Sequence, residues 1–394
     1  MPARGTVTGP SAPRCGARPR AAISGAPAHP PATGADAASG AQTPRPLGET
    51  MTTPTAPRAE ARLMPAEIHD LVVRIFTRLG SRPADAAVLA DMLVWSHLTG
   101  RDGHGLSRIP WYVEMARNGE MNLSASLTVE RELPATLLLD GHFAAGPVAM
   151  VAATDRAIAR ARTQGGCFAM VKRTTHTGAI GYFALRAAEA GFAAIVLCSG
   201  KPIMAYHGAR VPSLATSPIA MAVPGGAGGP LLLDMATSVA SFGRLRQLAA
   251  RDAEIPEGWA LTRDGQPTTR ARDGIIPLPL GGPKGSGLSL MFEAMTGALA
   301  GAPVLVPTLA DPDGPGRGSS ALIMVMDIAA FSTPDAFAAE VEALRATIRA
   351  LPRQEGVEEI LLPGDRSRAL AQQRARDGIA VPQALLDELA ALAG

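Results

Sequence analysis

The chain has 394 residues, 47% of them apolar and 18% charged, so it is long and apolar enough to bury a sizeable core and reads as a globular protein of about two domains. Its 37 basic and 35 acidic residues nearly cancel, with no long run of one sign in the body of the chain, which argues against a nucleic-acid partner. No stretch approaches the roughly 18 uninterrupted apolar residues of a membrane span, and three scattered cysteines, Cys15, Cys167 and Cys198, suit reduced thiols in a cytoplasmic protein better than a disulfide framework.

Residues 1–62 are rich in Ala, Pro, Gly and Arg and show neither a helical nor a strand period, the composition of a disordered tail. Two other readings of this segment are an organelle transit peptide, because it is Arg-rich and poor in acids, and an upstream start, with Met51 or Met64 as the first residue. From Pro65 the pattern turns helical. Ile68, Leu71, Val72, Ile75, Phe76 and Leu79 share one face, and a second helix begins at Pro83 and carries Val88, Leu89, Met92, Leu93 and Trp95.

Alternating elements follow. The pattern predicts strands over 135–139, 167–171, 192–198, 219–223 and 231–233, with helices over 148–162, 180–190 and 238–248. The Gly225–Gly229 run between two of these strands reads as a hairpin loop. A glycine turn at Gly281–Gly287 opens an apolar helix running to Leu299. A Pro/Gly/Asp-rich loop over 307–318, a strand over 321–326 and two helices complete the chain. The fold class is α/β (α+β).

Four clusters carry chemistry. Arg101-Asp-Gly-His104-Gly-Leu-Ser-Arg108 sets an imidazole between glycines and two guanidinium forks that match a carboxylate; it also reads as a polar connecting turn in which His104 caps a helix. Thr174-Thr-His176-Thr-Gly follows a strand, where α/β proteins place ligands, and an imidazole there suits proton exchange with a hydroxyl or carbonyl oxygen; its threonines also suit helix caps. Asp234-Met-Ala-Thr-Ser238 is a strand end able to hold ribose hydroxyls, or an ordinary N-cap built on Thr237 or Ser238. Gly281-Gly-Pro-Lys284-Gly285-Ser-Gly287 offers backbone N–H groups, a helix start and a full charge to an anion, although glycine is also what a tight strand-to-helix turn needs. No G-x-G-x-x-G opens a helix after a strand, no Walker A order is present, no G-x-S-x-G elbow occurs and no metal-ligand spacing is seen, so an ordinary Rossmann site, a serine hydrolase and a zinc centre find no support.

In this order the clusters resemble the malate/L-lactate dehydrogenase family, which includes ureidoglycolate dehydrogenase, 2,3-diketogulonate reductase, sulfolactate dehydrogenase and the piperideine- and pyrroline-carboxylate reductases. Arg101-Asp-Gly-His-Gly105 with Arg108 and Tyr112, Thr175–Ile180, Ala215–Ala220, Asp234–Ser238, Ile255–Ala260, Asp264–Thr269, Gly282–Gly285 and Leu362–Gly364 carry the likeness.

The resemblance implies a homodimer with a non-Rossmann two-domain fold. A cofactor-binding α/β domain over 126–274 is inserted between helical segments, 63–125 and 275–394, that form the substrate and dimerisation domain. It implies hydride transfer between NAD or NADP and a small 2-oxo or 2-hydroxy acid. The alternatives are reduction of a cyclic imine carboxylate, or a cofactor-binding homologue without activity. By the same resemblance His176 and His104 are catalytic, Arg108, Tyr112 and Arg101 bind substrate, and Asp234, Met235, Ala236, Ser238, Lys284, Gly285 and Gly200 contact the cofactor. The chain departs from the family at Gly103, where members commonly carry Ser or Thr, at Ala215-Thr-Ser-Pro218 and at Gly200-Lys201.

Overall fold

A computed structural model describes residues 60–312, 314 and 318–394; Cys15 and the tail expected over 1–62 lie outside these apart from residues 60–62. The first helix, α1 (Pro65–Arg78), starts with Pro at its first position, and the Glu67 carboxylate accepts from the Met64 N–H at 2.7 Å. Its apolar stripe, Ile68, Leu71, Val72, Ile75 and Phe76, is buried against α2 (Pro83–Leu98). Leu106, Ile109, Tyr112 and Val113 from the segment leading through α3 (Ile109–Arg117) complete this core, together with Ile379 and Val381 of a short ribbon in which Ile379–Pro382 pairs with Glu60–Leu63.

The second core forms on a seven-stranded sheet. Its strands are β1 (Thr128–Leu133), β2 (Thr136–Asp140), β3 (Gly166–Thr174), β4 (Phe192–Ser199), β5 (Ile219–Val223), β6 (Leu231–Met235) and β7 (Ser319–Asp327), in the order β1-β2-β3-β7-β4-β5-β6. Only β2 and β3 are parallel, joined through α4 (Gly146–Gln164); the other pairings are antiparallel. This is not the largely parallel sheet of a Rossmann dinucleotide fold.

Side chains alternate across the sheet as the pleat requires. Cys167, Ala169, Val171, Ala194, Val196, Ala321, Ile323 and Val325 face α4 and α5 (Gly181–Glu189), while Leu197 and Leu322 face Phe292 of α7 (Pro283–Glu293). The alanines let α4 and α5 lie close to the strands. The remaining helices are α6 (Phe242–Ala249), α8 (Leu305–Ala310), α9 (Pro334–Arg349), α10 (Asp365–Asp377) and α11 (Gln383–Ala393).

The expected strands and first helices form where the periodicities put them, with three differences. The strand at 319–327 belongs to the centre of the sheet, paired with β3 and β4, so the division expected at 274/275 does not separate sheet from helices. Ser241 rather than Thr237 or Ser238 caps α6, accepting from the Arg244 N–H at 3.1 Å. Three helices rather than two follow β7.

Register places the site. Thr174 lies opposite Ser319, Ser199 opposite Ser320, Leu197 opposite Ile219, and Ile219 opposite Met235. The segments that leave β3, β4 and β6, carrying His176, Gly200 and Asp234, therefore emerge at one end of the sheet.

At that end the start of α4 is pressed onto the His176 backbone. A β-carbon on Gly146 would overlap the His176 carbonyl oxygen and come within 2.8 Å of the Thr177 Cα. In an open helix Gly→Ala is stabilising; here overpacking reverses the sign. Gly146→Ala is expected to cost about 2 kcal/mol and to lower the Tm by several degrees. A calorimetric scan showing an unchanged or raised Tm would refute this packing.

Candidate active site

The loop between α2 and α3 is set by the end of α2. Gly100 has φ +78°, its N–H bonds to the His97 carbonyl at 3.2 Å and the Arg101 N–H to the Ser96 carbonyl at 2.8 Å, a Schellman closure that turns the chain sharply. Two short 3-10 turns, Asp102–His104 and Leu106–Arg108, follow. Gly105 leaves room for the His97 ring, which would lie 2.7 Å from a β-carbon there. Asp102 is held by Arg374 of α10 at 2.7 Å, which ties the loop to the C-terminal helices.

His176 sits in the connection from β3 to α5. Its threonines do not cap α5, whose N-terminus has no side-chain cap. Thr175 Oγ1 accepts from the Gly146 N–H at 2.9 Å and donates to the Ala144 carbonyl at 3.0 Å, and Thr177 Oγ1 lies 3.3 Å from Cys198 Sγ. These bonds fix the loop that presents the imidazole. The buried Cys198 thiol is pushed up to about 11 by burial and stays protonated.

The two loops meet. His104 and His176 lie nearly parallel, centroids 5.4 Å apart and planes 9° apart. Trp111 stands edge-on to His176 at 5.3 Å, and the Arg108 guanidinium lies 5.4 Å from the Trp111 ring. Arg108 Nε donates to the Gly103 carbonyl at 2.6 Å. Tyr112, fully buried, places its hydroxyl 2.7 Å from His176 Nδ1. Tyr112, expected to bind substrate, thus touches the histidine, and Trp111, adjacent to it in the helix, enters the site without having been singled out in the sequence.

The electrostatics follow from burial beside cations. His104 is driven down to about 4, by desolvation first and then by Arg108 and Arg101. His176 is held well below its ordinary value by desolvation, by His104 and by Arg108, and Tyr112 is raised by burial, so the phenol keeps its proton. Both imidazoles are neutral at pH 7. The Nδ1 of His104 is buried without a hydrogen-bond partner, a polar atom that a ligand is suited to satisfy.

Arg101 is elsewhere engaged. It forms an ion pair with Asp234 at 2.6 Å, lies 5.0 Å from the Trp95 ring and reaches Ser367 at 3.3 Å. Asp234, at the end of β6, packs against Gly181, where a β-carbon would come within 2.6 Å of its carboxylate. Ser238 donates to the Ala240 carbonyl at 2.8 Å, and Met235 and Ala236 are half-buried.

The glycine turn lies beside this strand end. The Leu280 N–H bonds to the Thr237 carbonyl at 2.8 Å, and a β-carbon on Gly285 would overlap that carbonyl and lie 2.6 Å from Leu280 N. Gly281 and Gly282 take φ of +56° and +61°, and exposed Lys284 stands in the first turn of α7. A backbone that approaches this closely, a helix start and a lysine together fit an anionic group such as a dinucleotide pyrophosphate. Gly200 emerges from β4 at the same sheet end, where a β-carbon would lie 3.6 Å from Ser319 Oγ.

The same family emerges from whole-chain comparison. The model of the malate/L-lactate dehydrogenase family matches residues 63–390. The malate dehydrogenase of Pyrococcus horikoshii is 32% identical over 332 residues, 82% of this chain and 92% of the relative. The NAD(+)-dependent ureidoglycolate dehydrogenase of Escherichia coli K12 is 30% identical over 316 residues, 80% and 90% of the two chains. The crystal structure of the delta1-piperideine-2-carboxylate reductase of Pseudomonas syringae superposes with a TM-score of 0.74 at 30% identity, over 84% of this chain and 99% of that one. With the matched region running from the start of α1 almost to the last residue of α11, the chain belongs to the malate/L-lactate dehydrogenase family.

Proposed function

We propose that the protein is an NAD(P)-dependent oxidoreductase that transfers hydride between the nicotinamide and a small 2-oxo or 2-hydroxy acid. The observation that carries this reading is the convergence of Arg108 and His176 about Trp111, which sets a guanidinium suited to a carboxylate and a neutral imidazole suited to a proton on either side of one ring.

In the oxidative direction the Arg108 fork holds the substrate carboxylate while His176 Nε2 takes the hydroxyl proton. For Nε2 to present a lone pair, Nδ1 must carry hydrogen and donate to Tyr112 Oη, and with the proton on Nε2 the phenol donates to Nδ1 instead, so Tyr112 holds the ring orientation in either tautomer. The imidazolium that forms is disfavoured by burial and by Arg108, and the bound carboxylate offsets that charge. His104, with its unpartnered Nδ1, is placed to hydrogen-bond the substrate.

The cofactor, when bound, supplies the hydride acceptor or donor. Lys284, Gly285 and the end of β6 from Asp234 to Ser238 would hold it, with Gly200 at the same sheet end. The likeness to the piperideine-carboxylate reductase supports a cyclic imine carboxylate as a second substrate class. This chemistry belongs in the cytoplasm, a reading supported by Cys167 and Cys198 being free thiols.

A screen of 2-oxo acids, 2-hydroxy acids and cyclic imine carboxylates with both cofactors, followed by nicotinamide absorbance, is expected to give turnover. His176→Asn should lower kcat by 100-fold or more while leaving cofactor binding intact. Unchanged turnover in that variant would remove His176 from the mechanism.

Burial of the neutral imidazoles also makes stability depend on pH. Between about 6.5 and about 4 the unfolded chain holds a proton on His104 that the folded chain does not, so stability rises with pH and is lost as pH falls through that window. Urea midpoints taken from pH 7 to pH 4.5 should fall, and His104→Asn should flatten the slope. An equal slope in both proteins would contradict the burial assigned to His104.

A homodimer is the assembly we infer, supported by apolar side chains left open on and after α7: Met291 at 57% exposure, Leu299 at 69% and Val306 at 71%. Light scattering on the eluting protein should give twice the chain mass, and Leu299→Asp with Val306→Asp should shift it towards the monomer. A monomeric wild-type protein would refute the assembly.

A further inference from the structure

Two arginines flank the histidine loop, and each lies within cation–π reach of a tryptophan, Arg101 at 5.0 Å from the Trp95 ring and Arg108 at 5.4 Å from the Trp111 ring. They differ in what else holds them. Arg101 also pairs with Asp234 at 2.6 Å and reaches Ser367 at 3.3 Å, so its guanidinium is occupied. Arg108 has one described hydrogen bond, from Nε to the Gly103 carbonyl at 2.6 Å, and no ion pair with a described carboxylate. Its terminal nitrogens, which carry four of the five N–H groups of a guanidinium, donate to no described acceptor. A half-buried cation of this kind, its pKa lowered first by desolvation, is costly without a partner.

Helical spacing supplies the partner. Arg108 precedes α3 as its N-cap residue in helical conformation, φ −88° and ψ −17°, and Trp111 follows it by three residues, so the two side chains share a face. The next residue, Tyr112, is fully buried, whereas Trp111 keeps 38% of its surface open to solvent. The Trp111 ring also stands edge-on to His176, with centroids 5.3 Å apart and planes at 61°. One side chain thereby lies against both the guanidinium and the imidazole.

We propose that Trp111 is a positioning residue for substrate binding: its ring holds the Arg108 guanidinium beside His176 while leaving the terminal N–H groups free for the substrate carboxylate. The inference rests on the dehydrogenase reading and names a residue that acts through Arg108. An aromatic face meets the charge of a guanidinium without using its N–H groups, whereas a carboxylate partner takes two of them in a bidentate pair. An acid at position 111 would close the fork, as Asp234 does for Arg101, and an aliphatic side chain would leave the cation unsupported until substrate arrives. The indole does neither. Arg108 is therefore ordered before substrate binds, and that pre-organisation appears as affinity.

The test compares Trp111→Leu and Trp111→Phe with the wild type on a 2-oxo acid that the wild type reduces. Trp111→Leu should raise KM about tenfold, the loss of one cation–π contact, with kcat changed by less than about threefold. Trp111→Phe should recover most of the affinity, because a phenyl face still meets the guanidinium. An unchanged KM in Trp111→Leu, equal rises in KM in the two variants, or a fall in kcat with KM unaltered overturns the assignment.

Calorimetric titration of oxamate, an unreactive amide analogue of a 2-oxo acid, keeps this separate from the dehydrogenase reading, because it needs no turnover. With both NADH and NADPH present, binding about tenfold weaker in Trp111→Leu and restored in Trp111→Phe supports the positioning role whether or not hydride is transferred. Equal affinities of the wild type and Trp111→Leu, or no oxamate binding to the wild type, refute it.

Discussion

The ion pair between Arg101 and Asp234 joins the two halves of the site. Arg101 sits where α2 has been turned by Gly100, and Asp234 ends the last strand of the sheet, so a bond of 2.6 Å between residues far apart in sequence fixes the histidine loop against the sheet end. Both side chains are largely withdrawn from water, with 17% and 9% of their surface left. Removing one partner from such a pair leaves an uncompensated charge and costs on the order of 3 kcal/mol. The arginine expected to grip substrate and the aspartate expected to grip cofactor are therefore first of all each other's counter-ions. That arrangement leaves Arg108 without an ion pair to any described carboxylate, and it makes the geometry of the two clusters interdependent.

The second governing feature is that the pocket is cationic but its histidines are not. Burial removes the proton from His104 and His176, and Arg108 beside them strengthens the effect. A neutral His176 is ready to accept a proton, whereas donating one requires that it first be charged. A carboxylate on Arg108, as proposed, would shift that balance, because it would offset a neighbouring positive charge and favour the imidazolium. In the proposed mechanism anion binding and protonation of His176 are thus coupled: an imidazolium charged from solvent would supply the proton for reduction, and the neutral imidazole would take it in oxidation. Tyr112, kept protonated by its burial, is the fixed point against which the imidazole changes state.

Most elements were legible in the sequence because their burial is one-sided or complete. The α1 stripe has a helical period, and β2, β3 and β4 are short runs bounded by turns, so local pattern and tertiary position agree. The place of β7 was not legible: the run at 321–326 reads as a strand, but nothing local says that it enters between β3 and β4, and the long excursion through α6, α7 and α8 hides the pairing. Residue types marked His104, Arg108 and His176 as candidates, and the structure brings them together, the two imidazoles stacked and Arg108 beside Trp111.

Roles were harder. Threonines beside His176 suggested caps, whereas the structure uses them to tie the loop to α4 and Cys198. Trp111 was not singled out, because it acquires meaning only from His176, more than sixty residues away in the chain.

Gly103 shows how a single missing side chain is felt on both sides of a contact. Without family comparison it is one of two glycines flanking His104, and against the family it is the loss of a hydroxyl. In the folded molecule it is a contact surface, its Cα lying against that of Gly243. Once both residues lack a β-carbon, the loop and the first turn of α6 close to backbone distance, and the carbonyl of Gly103 is free to accept from Arg108 at 2.6 Å. Restoring a hydroxyl at 103 would add a hydrogen-bonding group near His104 but would separate the two backbones. The position therefore trades a polar contact beside the histidine for a closer approach of two backbones.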